Sequence, residues 1–202
     1  MYGIATALLS ILAFTARAAT ITIPSTTVLG TDVFSGPTFT LTSAVQPTDV
    51  LTLTASGQVF LQTAGTAYGT NPAGVVTTAG TTSVGGTSLN GTTNFGSLLL
   101  GNSTLGFVQL FPATAANGLG SSTPPSSLTL SSVTLNSLGF ISALPSGTVL
   151  QFRISDINTF DNGGQFTVSG QIVTADVPEP SAGLLAIAGI AFLFFIRRRC
   201  RA

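Results

Sequence analysis

The sequence predicts an all-β body, an antiparallel β-sandwich of jelly-roll-like kind, held between two apolar ends. Three observations predict it. Apolar and polar residues alternate in several short runs, glycine and proline punctuate the chain throughout, and no stretch between the ends sustains a helical period.

The clearest alternation lies in Asp49–Ala55, in Val149–Ser155 and in Gln165–Val173. In the second run Leu150, Phe152 and Ile154 share one face. In the third, Phe166, Val168 and Ile172 point one way, and Thr167, Ser169 and Gln171 the other. Thr20–Val28, Ser97–Leu100, Phe107–Leu110 and Leu128–Leu138 are further strand candidates. Between them, Ala73–Asn94 is rich in Gly, Thr and Ser and poor in large apolar residues. It is expected to form a long surface loop and not a strand pair. Ala113–Ser127, with Asn117-Gly118 and Pro124-Pro125, is expected to do the same.

The ends carry signals of their own. Gly3–Phe14 is an apolar run of signal-peptide length, and Ala16-Arg17-Ala18 places small residues where a signal peptidase needs them, so cleavage is expected after Ala18. The segment before it has no Lys or Arg, which leaves an uncleaved anchor as the alternative. At the other end, Val177-Pro-Glu-Pro180 precedes an apolar run from Ala182 to Ile196 and then Arg197-Arg-Arg199-Cys200-Arg201. As a helix, residues 182–196 measure about 22 Å, short of the roughly 30 Å hydrocarbon layer, so spanning would draw on Pro180-Ser181 and on arginines that snorkel. The arginines would stay cytoplasmic, placing residues before Val177 across the membrane. This divides the chain into a signal peptide at 1–18, a β-sandwich domain at 19–176 and a C-terminal signal at 177–202.

Charge narrows the function. From Ala19 to Val177 there is one basic residue, Arg153, and no Lys, His or Cys. Nucleic acid is therefore not an expected partner, because clustered cations supply affinity for phosphate backbones. No nucleophile and base pair is apparent either, so the protein is expected not to be an enzyme. The carboxylates Asp156 and Asp161 would suit glycoside hydrolysis in principle, but they share one short turn. Arg153 is expected to be solvated and paired with an aspartate. Cys200 is the lone cysteine, so no disulfide forms within the chain.

One constellation carries chemistry. Asp156, Asn158, Asp161 and Asn162 fall within seven residues ahead of Gly163-Gly164. Calcium takes oxygen ligands of these kinds, and without histidine or a usable cysteine a hard cation is the metal expected. The competing reading is that Asp and Asn form the turn by capping their own backbone.

Two resemblances add to this. Val-Pro-Glu-Pro-Ser, the apolar helix and the arginine cluster resemble the PEP-CTERM sorting signal over residues 177–201, with Pro178, Glu179 and Pro180 as the motif. The resemblance implies recognition and cleavage by an exosortase, a membrane-anchored intermediate, and delivery to the surface or extracellular polysaccharide of a Gram-negative-type bacterium. Val50–Gln58, Tyr68–Gly74, Gly96–Gly101 and Ile154–Val168 resemble, in order, the calcium-dependent galactose-binding lectins. That likeness implies calcium held by the Tyr68 carbonyl, Asp156, Asp161, Asn162 and a loop carbonyl at Thr159 or Phe160. The loop is shorter than the lectin's, and the lectin's His and Gln sugar contacts have no counterpart between Ala73 and Asn94, so galactose specificity does not follow. The readings left are a calcium-dependent carbohydrate-binding module and an inert matrix component, with an ice-binding role third. The absence of Trp favours the matrix component.

Overall fold

A computed structural model describes residues 18–63, 66–76, 81–84, 87–116, 127–156 and 162–174. Ala19–Ala175 forms one compact unit. The expected signal peptide, apart from an exposed Ala18, and the expected helix at 182–196 lie outside the described residues. Among the described residues no helix is long and apolar enough to cross a membrane.

The unit is all-β. Its strands are β1 (Thr20–Leu29), β2 (Thr38–Thr40), β3 (Val50–Thr63), β4 (Thr66–Thr70), β5 (Thr81–Val84), β6 (Thr87–Thr93), β7 (Leu98–Asn102), β8 (Gly106–Gln109), β9 (Ser127–Thr134), β10 (Val149–Ile154) and β11 (Gly163–Val173). Among the described residues, helix is confined to short 3-10 turns at Ala113–Ala115 and Asn136–Leu138. One sheet runs β1-β11-β3, with the far edge of β3 shared by β9 and β4; the other runs β2-β10-β7-β8-β6-β5. All pairings are antiparallel except that of β6 with β8. The two sheets contribute to one apolar cluster, giving a sandwich-like body.

The inner face of the first sheet depends on size matching across the β3/β11 ladder. Gly57 lies opposite Phe166, Leu53 opposite Gly170, and Ala55 opposite Val168. Phe166, Leu53 and Val168 are all fully buried. Large side chains thus face small ones, which lets both strands fill the core without collision. Apart from the exposed Leu29 and Phe60, the outward residues are mostly hydroxyl and amide side chains. Thr27, Thr167, Ser56 and Ser127 fall in one row across four strands, and Ser169, Thr54 and Thr129 in the next.

Two bulges keep the apolar residues in phase. Between Ile23 and Thr26 the β1 ladder gains a residue at Pro24-Ser25, so Ile21, Ile23 and Val28 all stay buried despite an odd spacing. Pro24 has no N–H to give a ladder and sits at this irregularity on an edge strand. In β9 the extra residue falls between Leu130 and Val133, where Ser132 takes a positive φ of 50°. Leu130 and Val133 then both face Leu53 and Leu51 from the same side.

The expected loop at Ala73–Asn94 is corrected by the fold. β5 and β6 pair antiparallel within it, with Val84 opposite Thr87. Threonine is β-branched and suits a strand, and Gly85-Gly86 between the paired residues is a two-residue hairpin signal that low apolar content obscured. Both ends of the segment are anchored as well: Ala73 and Val75 are fully buried and Val75 bridges Phe95. Of Ala113–Ser127, residues 117–126 lie outside the described residues.

Gly57 marks the point where the edge of β3 passes from β9 to β4, and its φ is +113°. A Cβ there would lie 2.3 Å from the Gln165 carbonyl oxygen, whereas at Gly147, with φ +86°, it would meet nothing within 4 Å. Gly147→Ala is expected to cost roughly 1 kcal/mol, from backbone strain alone, and Gly57→Ala about 3 kcal/mol or more. Equal urea midpoints for the two variants would show that the close approach at Gly57 is not limiting.

Candidate functional site

β10 ends and β11 begins at the Asp156 loop. Asp156 is almost fully buried, and its Oδ2 accepts a 2.7 Å hydrogen bond from the Asn162 side-chain amide. The same amide donates to the Gly30 carbonyl at 3.1 Å. The turn after β1 docks here through backbone bonds, Gly30 N–H to Gly164 O at 3.0 Å and Ile154 N–H to Asp32 O at 3.0 Å. Gly30 has to be glycine, because a Cβ would sit 2.4 Å from the Gly163 oxygen.

Of the five residues expected to hold calcium, the structure brings Asp156 and Asn162 together. Thr159 and Asp161, with Phe160, lie outside the described residues. Tyr68 stands in β4 opposite Leu61, and its side chain is not among those described. Gly69 and Gly163 flank Phe60 from opposite sides of β3, so the Tyr68 segment and the loop reach the same end of the sheet about 10 Å apart, two strand spacings. Calcium asks for six to eight oxygens at about 2.3–2.6 Å. Asn162 turns its nitrogen, not its oxygen, toward Asp156, so a cation shared by the two side chains requires that amide to rotate. Among the described residues no group of three or more His, Cys, Asp or Glu is placed to hold a metal.

The described carboxylates serve turns. Asp32 Oδ2 accepts from Leu29 N–H and Asp49 Oδ2 from Gln46 N–H, each at 2.7 Å. Burial raises the Asp32 pKa above the ordinary carboxylate value, and the Leu29 hydrogen bond offsets this only in part.

Arg153 departs from expectation. It is 8% exposed, and among the described residues no carboxylate pairs with it. The register explains where it goes. Arg153 lies opposite Leu99, and Gln151 opposite Gly101, itself opposite Phe107, all on the face of the second sheet opposite to that of Leu98, Leu100 and Phe152. That face is not fully wet. Leu99 and Phe107 are completely buried, and the Gln109 side chain, in the same row as Leu99, reaches the Ala73 and Phe111 carbonyls. With no side chain at Gly101, the guanidinium lies 4.4 Å from the Phe107 ring centre. Its Nε donates to Gln151 Oε1 at 2.7 Å, and Gln151 in turn donates to the Gly36 carbonyl at 3.0 Å. Sequence periodicity assigns Arg153 to the outward face but gives no sign that this face is covered.

Against known proteins, residues 176–200 match the PEP-CTERM protein-sorting motif, which contains Pro178, Glu179 and Pro180. No curated protein and no solved structure matches the chain, so the galactose-binding-lectin resemblance finds no support there. The motif implies processing by an exosortase and places the protein at the cell surface or outside the cell.

A folded-state pKa above the unfolded one means that the native state binds more protons, so Asp32 favours folding most below about pH 3.9, and this contribution is lost as pH rises through its raised value. Asp32→Asn keeps an acceptor for Leu29 N–H. It is expected to raise the neutral-pH melting temperature and to flatten that part of the stability profile, as measured by thermal melts across pH 3–7. A wild-type profile no steeper than the variant's would remove the effect.

Proposed function

We propose that the protein is a non-enzymatic component of the extracellular polysaccharide layer: a jelly-roll-like β-sandwich exported behind a signal peptide, held briefly by its C-terminal helix, and delivered by exosortase cleavage. The observation that carries this reading is the sorting motif at residues 176–200. The composition of the body supports it, since 19–176 contains no His, Lys or Cys with which to build a catalytic site. Its outer Thr and Ser rows support it too. Neutral hydroxyls hydrate a surface without charge, and they hydrogen-bond to sugars as readily as to water.

Delivery follows from the ends. Cleavage after Ala18 frees Ala19, whose N–H donates to Thr174 Oγ1 at 3.0 Å and whose carbonyl accepts from Thr174 N–H at 2.9 Å, closing the start of β1 onto the end of β11. The arginines after Ile196 hold the tail on the cytoplasmic side while the exosortase acts near Pro178-Glu179-Pro180. The expected product begins at Ala19 and appears in the extracellular or surface fraction. Replacing Pro178, Glu179 and Pro180 together by alanine is expected to leave a longer species in the membrane fraction. Release of an identical product from that variant would end the sorting reading.

A second reading, calcium-dependent carbohydrate binding at the Asp156 loop, is favoured by the nearly complete burial of a carboxylate at a strand end. Bound calcium would supply Lewis-acid contacts to sugar hydroxyls, and Asp156, Asp161 and Asn162 with the Tyr68 and Thr159 carbonyls would hold it. Calorimetry of the full chain with calcium, in mild detergent, is expected to give a saturable heat that Asp156→Ala and Asp161→Ala each abolish. Heats unchanged in both variants would leave the loop as a hydrogen-bonded turn only.

A further inference from the structure

The body contains one cationic side chain, Arg153, and among the described residues it has no counter-ion. Burying a guanidinium removes water from its donors, and each donor left unpartnered carries a desolvation cost. At Arg153, Gln151 satisfies Nε and Phe107 offers its ring face, but the buried Nη1 has no hydrogen-bond partner. Burial correspondingly lowers the Arg153 pKa. Such a group is stabilised by an anion brought to it.

Arg153 lines an open groove of about 380 Å³ on the outer face of the second sheet. The size falls within the roughly 300–1,000 Å³ of small-ligand clefts. Thr38 and Gln151 form the floor beside it, since Thr38 pairs with Gln151 in the β2/β10 ladder. Ser103 and Thr104 of the β7–β8 turn and Thr148 also line the groove. The turn is held by Asn102, whose Oδ1 accepts from the N–H groups of Thr104 and Leu105 at 3.0 and 2.8 Å, while its amide donates to the Val149 carbonyl. The groove therefore holds one planar cationic fork, its Nη1 buried, among hydroxyl-bearing lining residues.

We propose that this groove binds a carbohydrate bearing an isolated carboxylate, such as a single hexuronate among neutral sugars, with Arg153 taking the carboxylate and Thr38, Ser103 and Thr104 meeting ring hydroxyls. A guanidinium matches a carboxylate in a two-pronged hydrogen bond, and the flanking hydroxyls suit a polyol. The charge balance sets the class more narrowly. Against Arg153 the body carries Asp32, Asp49, Asp156, Asp161 and Asp176, so its net negative charge opposes a densely charged polyanion far more than a single carboxylate. The inference rests on the reading of the protein as a polysaccharide-layer component, and it names which polysaccharide chemistry the body meets. Loss of exosortase processing would sink that reading without touching binding in vitro, so the two failures are distinguishable.

The test is calorimetry of the full chain in mild detergent with methyl glucuronide, methyl glucoside, sodium acetate and a polyuronate. The glucuronide is expected to bind about tenfold or more tightly than the glucoside or acetate, and the polyuronate no more tightly per residue than the glucuronide at low salt. Arg153→Gln is expected to weaken glucuronide binding about tenfold or more. Because that variant removes a packed side chain, a second measurement uses the wild-type chain: the Arg153 Nε resonance is expected to shift on titration with glucuronide. Glucuronide bound no better than glucoside, a folded Arg153→Gln variant that binds with unchanged affinity, or an unmoved Nε resonance would each overturn the proposal. Acetate matching the glucuronide would overturn the sugar part and leave a simple anion site.

Discussion

The long antiparallel pairing of β3 with β11 is the constraint on which the rest of the body depends. It runs without a register break from Val50–Val173 to Phe60–Gly163, and every other strand of its sheet joins one of these two. A slip of one residue would turn Leu51, Leu53, Val59, Phe166 and Val168 from the core to solvent, so the apolar alternation on both strands pins the register. Size matching refines it. Phe166 fits opposite Gly57, and Leu53 opposite Gly170, in this register alone.

The ends of this ladder set the geometry of the candidate sites. Where β11 begins, Gly163 and Gly164 pass close to Gly30 and to Gln58, and this draws the turn after β1 onto the Asp156 loop. Asp156 is buried there and accepts from the Asn162 amide. The second sheet is organised differently. Its inner face carries Leu98, Leu100, Leu150, Phe152 and Ile154, yet part of its outer face is also buried, which is how a guanidinium comes to rest against an aromatic ring.

Among the described residues of a body so poor in charge, each ionic group has a defined local partner. Asp32 and Asp49 cap backbone turns, Asp156 accepts from the Asn162 amide, and Arg153 packs against Phe107. Solubility falls to the hydroxyl rows of β1, β3, β9 and β11. This division is consistent with residence outside the cell, where a neutral hydrated surface limits non-specific association.

Most of the strand content was legible, in β1, β3, β9, β10 and β11 from period-two alternation and in β7 and β8 from short continuous apolar runs buried on both faces. β2, β4 and the β5/β6 hairpin were not, since they are short or rich in Thr and Gly and owe their order to neighbours. The β1 and β9 bulges also escape alternation, because an inserted residue breaks the very period that signals the strand. At the Asp156 loop the residue types were evident beforehand, but the bond between Asp156 and Asn162 depends on Gly30, more than a hundred positions away in the chain. By itself, then, the sequence determined the β class, the apolar faces and the exported destination, all of which follow from local pattern and motif. Tertiary structure alone decided which outward-pointing residues lose water, because Arg153 meets Phe107 only through the register that joins β10 to β7 and β8, strands far from it in the chain.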